Sequence, residues 1–259
     1  MPTAKLDGVD IHYESTGAGP AVLLLHGLGS SGRDWEYQIP SLAGYRVIAP
    51  DLRGHGRSSK PGGRYSIAGF AADMAGLLRS LGAGPAHVVG LSLGGAIAFQ
   101  LAVDAPELVR SLTIINSAPD IVPRNWRQRF LIAQRLALIR FVGLRRFSVI
   151  LAGRLFPEAG QVELRRLFVE RFAQNRKGPY LSSLRSLIGW SVESQLGAIQ
   201  VPTLVVAADQ DYTPVAFKEA YTAKLPKGRV AVVPNSRHAT PIDQPEALNR
   251  LLVEFLAAA

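Results

Sequence analysis

The sequence of 259 residues predicts an α/β fold, a doubly wound and mostly parallel sheet into which a helical cap is inserted. Three observations indicate this class: short continuous apolar runs, helix-period stretches between them, and one long interval without a strand pattern. The composition agrees, because 47% of the residues are hydrophobic and 19% are charged, an ordinary balance for a globular chain.

The short apolar runs indicate the strands of the sheet. Runs that are continuous rather than alternating are typical of strands covered on both faces, as in a parallel sheet. The predicted strands cover residues 21–25, 46–49, 87–90, 112–115, 202–207 and 229–233. Ahead of them, residues 5–15 predict an antiparallel hairpin that turns near Asp7 and Gly8.

Helical patterns lie between these strands. Residues 67–81 repeat apolar side chains at the spacing of one helix face, and residues 246–256 close the chain with an amphipathic pattern. Residues 93–103 are small and apolar, which suits tight packing on a sheet. The alternation of strand and helix predicts right-handed crossovers in a doubly wound sheet.

The alternation stops between residues 120 and 195, where no strand pattern occurs. Two apolar stripes at helical spacing lie there: Trp126, Phe130, Ala133, Ala137 and Phe141, and then Leu164, Leu167, Phe168 and Phe172. We therefore expect a core domain of residues 1–119 and 196–259 and a helical cap, or lid, of residues 120–195. Trp126, Phe130 and Trp190 could line a pocket, but helical spacing indicates packing first.

The positive charge of the chain is concentrated in this predicted cap. The formal net charge is +9, and residues 120–190 hold 14 Lys or Arg against 4 Asp or Glu. Such an excess is usually a solvated helical face. An anionic substrate, an acidic carrier protein and an anionic membrane surface are the alternatives. Nucleic acid is not expected, because no nucleic-acid-binding module accompanies the charge.

The chain has no cysteine, which excludes disulfides, thiolate catalysis and cysteine-bound metals. Residues 1–8 lack a basic stretch followed by an apolar run, so no secretory signal is visible. The apolar runs are shorter than the roughly 20 residues that a membrane span needs. We expect a cytoplasmic protein without a metal or organic cofactor.

Residues 90–94, Gly-Leu-Ser-Leu-Gly, match the pattern G-x-S-x-G between a predicted strand and a predicted helix. Ser92 would sit on a sharp, strained turn, where Gly90 and Gly94 leave room that a Cβ would fill. Its oxygen would stand above the sheet at the positive end of a helix. The alternative is a glycine-rich turn with a solvated serine, but the strand–turn–helix context favours a nucleophile.

Residues 26–29, His-Gly-Leu-Gly, directly follow the first predicted parallel strand. A serine that attacks an ester produces a tetrahedral oxyanion, which needs two hydrogen-bond donors placed in advance. The backbone N–H groups of Leu28 and Leu93 are the candidates. We assign His26 a structural role, in which its hydrogen bonds hold the loop.

Only one histidine follows Ser92 in the chain, and serine hydrolases of this type run in the order nucleophile, acid, base. His238 is therefore the candidate base, in a segment that is a loop by composition. The earlier four, His12, His26, His55 and His87, come before the serine. We interpret His55 as bracing a turn and His87 as structural.

Two aspartates follow the predicted strand at residues 202–207, and both are candidates for the acid that orients the histidine. We prefer Asp211, because the further loop position reaches the histidine in this architecture. Asp209 is expected to cap the loop or to form a salt bridge. Asp120 is a second reserve, since some hydrolases place the acid after the strand at residues 112–115.

These motifs together resemble the α/β-hydrolase family, specifically its small bacterial esterase-like members with a helical cap. The resemblance rests on HGLG at 26–29, DLRGHGRS at 51–58, GLSLGG at 90–95, PTLVVAADQD at 202–211 and SRHATPIDQPEAL at 236–248. It implies that Ser92 is the nucleophile, Asp211 the acid and His238 the base, with Leu28 and Leu93 as oxyanion donors. Ala208 and Arg237 stand where the family usually has glycine.

The resemblance implies two-step acyl transfer on a small-molecule carboxylic ester. Lactones or enol-lactones, thioesters and carbon–carbon bonds are alternative substrates, and cofactor-free perhydrolases share the same residues. A serine at position 92 is unlike epoxide hydrolases and haloalkane dehalogenases, which use aspartate. A ligand-binding receptor on a hydrolase scaffold is the alternative from another class. The basic cap leaves an anionic substrate or an acidic carrier open, and the oligomeric state is open too.

Overall fold

The structure, a computed structural model, describes residues 2–259. Eight strands form one sheet in the order β1-β2-β4-β3-β5-β6-β7-β8. The strands are β1 (Thr3–Leu6), β2 (Val9–Thr16), β3 (Ala21–Leu25), β4 (Arg46–Pro50), β5 (Ala86–Leu91), β6 (Val109–Ile115), β7 (Thr203–Ala208) and β8 (Gly228–Val233). β2 pairs antiparallel with β1 and β4, and the remaining neighbours are parallel. The predicted fold class is confirmed.

The first two strands form the predicted hairpin. Asp7 and Gly8 both have positive φ, 44° and 81°, as a tight two-residue hairpin turn requires. β6 begins at Val109, three residues before the predicted strand. Exposed Arg110 and buried Ser111 interrupt the apolar run there, so hydrophobicity alone does not reveal these residues as strand.

The helices are α1 (Ile67–Ser80), α2 (Leu93–Asp104), α3 (Trp126–Val142), α4 (Leu144–Leu155), α5 (Val162–Ala173), α6 (Lys177–Leu187), α7 (Val215–Thr222), α8 (Thr240–Asp243) and α9 (Pro245–Ala258). Ser66 begins α1, because its Oγ accepts a hydrogen bond from the backbone N–H of Gly69 at 3.0 Å. α3 to α6 lie between β6 and β7, where the sequence lacks a strand pattern.

Side chains of the central strands alternate between two apolar layers, as the pleat requires. In β3, Leu23 and Leu25 pack with α1 and α2, whereas Val22 and Leu24 pack with α9. All four are fully buried, and each stabilises the fold by about 1.5–3 kcal/mol. The sheet is therefore covered on both faces, which explains why its strands read as continuous apolar runs.

Residues 120–195, here called the helical insertion, have an apolar cluster of their own. It consists of Ile139, Leu144, Phe147, Phe172, Tyr180, Leu181 and Leu184. The two ends of the insertion meet in an antiparallel bridge between Asp120 and Ser191. The division of the chain into a core domain and a cap domain stays a prediction.

The stripe on α3 does not pack as predicted. Trp126 is 72% exposed, Phe130 59% and Phe141 83%, so the prediction that this stripe indicates packing is wrong. The physical reason is that α3 has a second apolar face, and Ile139 on that face is fully buried. Among residues 2–259, no helix is long and apolar enough to cross a membrane.

Candidate active site

Ser92 lies on the turn between the end of β5 and the beginning of α2. Its φ of 53° and ψ of −110° fall in a region that L-residues rarely adopt, so the turn is strained. Two hydrogen bonds hold it there. The N–H of Ser92 donates to the carbonyl of Ile115 at 3.0 Å, and the Ser117 hydroxyl donates to the carbonyl of Ser92 at 2.7 Å.

Glycine is required on both sides of this serine. A Cβ on Gly90 would lie 2.3 Å from the carbonyl oxygen of Gly94, and a Cβ on Gly94 would lie 2.1 Å from that of Leu25. Both obstacles are backbone atoms, which cannot rotate away as a side chain can. The glycines of the motif therefore let the turn fit tightly against β3 and α2.

Part-buried His238 and buried Asp211 form a pair beyond the ends of β8 and β7. Nδ1 of His238 lies 2.7 Å from Oδ1 of Asp211. The ring of Tyr212 stacks on the imidazole at a centroid distance of 4.4 Å. Because Nδ1 is engaged by the carboxylate, Nε2 is the ring nitrogen that can exchange a proton with another group.

Lys218 on α7 holds the second oxygen of the same carboxylate. Its Nζ lies 2.7 Å from Oδ2 of Asp211, and both side chains are almost completely buried. The Thr213 hydroxyl donates to the same oxygen at 2.9 Å. Burial alone would raise the pKa of the Asp211 carboxyl, but His238 and Lys218 outweigh it and hold that pKa well below its usual range. Asp211 is thus kept ionised.

The two other candidate acids have different partners. The carboxylate of Asp209 accepts from the backbone N–H groups of Asn235 and Ser236, both at 3.0 Å, so it caps the loop that leads to the histidine. Asp120 pairs with Arg124 at 2.7 Å, at the base of the helical insertion.

Asn116 connects the loops that carry the acid and the base. Its side-chain N–H₂ donates to the carbonyls of Arg237 and His238, each at 3.1 Å. Its side-chain oxygen accepts from the backbone N–H of Ala208 at 2.9 Å. The residue has a φ of 45°, a conformation that asparagine tolerates better than most side chains. One amide therefore fixes the ends of β6 and β7 relative to the histidine loop.

Ser92, His238 and Leu28 line one cavity of about 280 Å³. Most of its wall is apolar and comes from the helical insertion, the loop after β8 and α8: Ile121, Ile132, Leu151, Leu155, Phe168, Leu184, Leu187, Ile188, Ala239 and Ile242. Arg135 and Asp34 add charge to the wall. Trp126, Phe130 and Trp190 are not among the described lining residues.

The two predicted oxyanion donors come from different elements of the fold. Leu93 is the first residue of α2, and the first N–H groups of a helix have no acceptor within it. Leu28 reaches the cavity from the loop after β3. A Cβ on Gly29 would lie 2.5 Å from the ring of Phe172, so this loop packs closely under the helical insertion.

His26 and His55 lie behind that loop and are fully buried. The N–H of Leu52 donates to Nε2 of His26 at 3.0 Å, so Nδ1 carries the proton and donates to the carbonyl of Gly27 at 2.8 Å. Nδ1 of His55 lies 3.1 Å from the carbonyl of Arg53. Both rings hold backbone, which is the structural role expected for them.

Sequence reasoning missed Lys218, Asn116 and Tyr212 as parts of the site. Asn116 had a signal, because polar residues just beyond the carboxyl ends of parallel strands often belong to functional sites. The other two lie in segments whose local pattern carries no such signal. Within residues 2–259, no group of three or more His, Asp or Glu side chains could hold a metal ion.

Comparison with known proteins identifies the family of this chain. The sequence model of the α/β-hydrolase fold matches residues 20–245. A protein of Azorhizobium caulinodans that carries the name carbamate hydrolase RutD is 33% identical, over 98% of both chains. A thermophilic esterase from Thermogutta terrifontis, solved with malate bound, superposes with a TM-score of 0.87 at 26% identity, over 99% of this chain and 96% of its own.

The enol-lactonase of Burkholderia xenovorans superposes with a TM-score of 0.90, over 99% of this chain and all of its own. At 24% identity, this likeness concerns the fold. The matched family model spans six of the eight strands and every motif described above except the last three residues of the one at 236–248. The chain therefore belongs to the α/β-hydrolase fold family.

Proposed function

We propose that the protein is a serine hydrolase that cleaves a carboxylic ester through a covalent acyl-enzyme. One observation carries this proposal: a strained serine and a histidine line the same apolar cavity, and an aspartate holds that histidine. Hydrolysis is also the activity in the names of the carbamate hydrolase and the esterase to which this chain is similar.

In the proposed reaction, Ser92 Oγ attacks the carbonyl carbon while Nε2 of His238 takes its proton. The N–H groups of Leu28 and Leu93 stabilise the oxyanion. The imidazolium, stabilised by Asp211, then protonates the leaving alcohol, and the carbon–oxygen bond breaks. A water molecule, with His238 as its base, then attacks the carbonyl carbon of the acyl-enzyme. This step releases the carboxylic acid and returns the proton to Ser92.

The wall of the cavity favours a substrate with an apolar group near its reacting carbonyl, because most of the lining side chains are aliphatic or aromatic. Arg135 is the single Lys or Arg among the described lining residues, so an acyl group that ends in a carboxylate also fits this wall. Binding of such an anionic substrate belongs to the proposal, as does docking of an acidic carrier at the basic insertion.

A carbamate is the second candidate substrate. It is favoured by the relative named as a carbamate hydrolase, which matches this chain along nearly its whole length. The same residues would carry out the reaction, since a carbamate presents a carbonyl carbon with an oxygen or nitrogen leaving group. Lactones are tested with it, because a lactone is an internal ester.

The first test is hydrolysis of p-nitrophenyl esters of graded acyl length and charge, together with small lactones and carbamates. We expect Ser92→Ala to lose nearly all turnover, by a factor on the order of 10⁴ or more, because the covalent step is removed. Circular dichroism and the melting temperature check that the variant is folded. A clean Ser92→Ala preparation that still hydrolyses the best substrate would contradict the proposal.

A second readout separates an enzyme from a ligand-binding scaffold. A fluorophosphonate probe should add one adduct to the wild-type chain, and peptide mass analysis should find it on Ser92. The reaction needs the activated serine but not the natural substrate. Labelling that is absent from the folded wild type would remove the serine mechanism, whatever the panel shows.

A further inference from the structure

The outward face of α3 carries a continuous apolar stripe, here called the outer stripe: Trp126, Phe130, Ala133, Ala137 and Phe141. At 3.6 residues per turn, these five positions project within an arc of about 80°. All five side chains are exposed. Burying large aromatic side chains is strongly favourable, so their exposure on one arc indicates a surface that another body covers.

The outer stripe belongs to a larger concentration of exposed apolar groups. Residues 122–150 hold seven of the 13 exposed large apolar side chains found among the described residues. They are Val122, Trp126, Phe130, Leu131, Phe141, Val149 and Ile150. Single exposed apolar residues are ordinary, but this density within one helical pair is not.

The same segment is free of negative charge. Residues 121–157 contain eight arginines and no aspartate or glutamate. Arg124 pairs with Asp120 and Glu193. The other seven are exposed and have no ion pair within 4 Å among residues 2–259: Arg127, Arg129, Arg135, Arg140, Arg145, Arg146 and Arg154.

Three of these arginines border the outer stripe directly. On the helical wheel, Arg129 and Arg140 project on one side of it and Arg127 on the other. An aromatic strip bordered by arginines, with no acid nearby, is the pattern of helices that lie in the surface of an anionic bilayer. Tryptophan suits that position, because its ring is apolar and its N–H is polar.

We propose that α3 docks this protein on an anionic lipid surface, with the outer stripe inserted and the bordering arginines on lipid headgroups. A second copy is a poorer occupant, because a two-fold contact between these faces would bring like charges together. The opposite face of α3 contributes Ile132 and Arg135 to the catalytic cavity. Docking would therefore hold that cavity close to the membrane surface, where amphiphilic esters collect.

The test uses the full chain and two kinds of vesicle, phosphatidylcholine alone and phosphatidylcholine with phosphatidylglycerol in equal parts. We expect the wild type to sediment with the anionic vesicles and to be released by salt, because screening weakens electrostatic binding. Emission of Trp126 should shift to the blue on binding. The Trp126→Phe variant should lose that shift, since Trp35 is buried and the part-buried Trp190 already donates its N–H to Gln100 inside the protein.

Two sets of matched variants locate the contact. Replacing Arg127, Arg129 and Arg140 by Gln should weaken binding by roughly a hundredfold. The control replaces Arg33, Arg110 and Arg250 by Gln, which removes the same charge elsewhere on the exposed surface. Replacing Trp126, Phe130 and Phe141 by Ser should abolish insertion, whereas the control Val162→Thr, Val232→Thr and Val253→Thr should not.

Ester turnover by all four variants should match the wild type, because none of these side chains lines the cavity, and it confirms that each variant is folded. Three results would overturn the proposal: no binding to the anionic vesicles, an equal loss in both arginine variants, or a dimer that disappears in the Ser variant without any vesicle binding. The proposed ester hydrolysis does not depend on these results.

Discussion

At the residue scale, Asp211 is held from two directions. Its Oδ1 meets His238, and its Oδ2 is occupied by Lys218 and Thr213. The carboxylate therefore cannot rotate without losing a bond to a buried partner, and an unpaired buried charge is costly. Lys218 touches no substrate atom in the proposed reaction, so we regard it as a positioning residue.

We expect Lys218→Met to lower kcat about tenfold and to move the acid limb of the pH–kcat profile to higher pH. Without the cation, the carboxylate stabilises the imidazolium more strongly, so the protonated, inactive form persists to higher pH. The measurement is kcat against pH, with the melting temperature recorded. Lys224→Met is the control, because Lys224 is half exposed and pairs with Glu193 on the surface. An unmoved acid limb would refute the positioning role.

The sequence allowed the choice between Asp209 and Asp211 to be predicted, because loop position distinguishes them. The structure pairs Asp211 with the histidine and uses Asp209 to cap the adjacent loop. Lys218 was not predictable, since lysine on an amphipathic helix is normally solvated. Its burial depends on how α7 sits against the carboxyl end of β7, which local sequence does not specify.

At the scale of single elements, the strand–turn–helix around Ser92 is tightly constrained by its neighbours. The end of β5, the turn and the start of α2 approach β3 so closely that backbone fills the space beside Gly90 and Gly94. Its place could be predicted, because a buried run and a helical run flank the motif. The packing that makes glycine necessary only becomes visible in three dimensions.

We expect Gly94→Ala to destabilise the fold by at least about 1–3 kcal/mol, the usual range for overpacking, because its Cβ would collide with the carbonyl of Leu25. Turnover should fall by more than the loss of folded protein explains, since the added Cβ displaces the serine. Thermal unfolding and ester hydrolysis measure the two effects. Gly160→Ala is the matched control, as nothing lies within 4 Å of a Cβ there. Equal melting temperatures for the two variants would count against the tight turn.

Periodicity was less informative for α3. A repeat of apolar residues shows that one face of a helix is apolar, but not that this face points inward. α3 has two such faces, and the one with the larger aromatics points to solvent. The sequence therefore predicts the helix correctly and the orientation of its stripe wrongly.

At the scale of the whole molecule, four buried histidines link stability to pH. Burial lowers the pKa of His12 and His26, brings that of His55 to about 3 and brings that of His87 to about 4. In the unfolded chain these rings take up protons near pH 6.5. The folded state binds fewer protons below that pH, so acid favours unfolding.

We expect the free energy of unfolding to be steady above pH 6.5 and to fall between pH 6.5 and about 4. Each of the four rings contributes up to about 1.4 kcal/mol per pH unit. Urea unfolding at a series of pH values measures the slope. His87→Gln should lower the number of protons taken up on unfolding by up to one, and the slope with it. The substitution removes the imidazole ring that lies 2.7 Å from the Ser111 hydroxyl. A slope identical to that of the wild type would show that His87 takes up its proton without unfolding.

The chain leaves the sheet and returns to it at nearly one point. Around the bridge between Asp120 and Ser191, Ile121 N–H donates to Trp190 at 2.9 Å and Val192 N–H to Pro119 at 2.8 Å. Backbone hydrogen bonds next to the sheet thus hold the two ends of the helical insertion together. The entropic cost of bringing these ends together rises only slowly with the number of residues between them. A lineage could therefore exchange residues between these two points for another set of helices and acquire a new substrate preference while its hydrolytic groups kept their places.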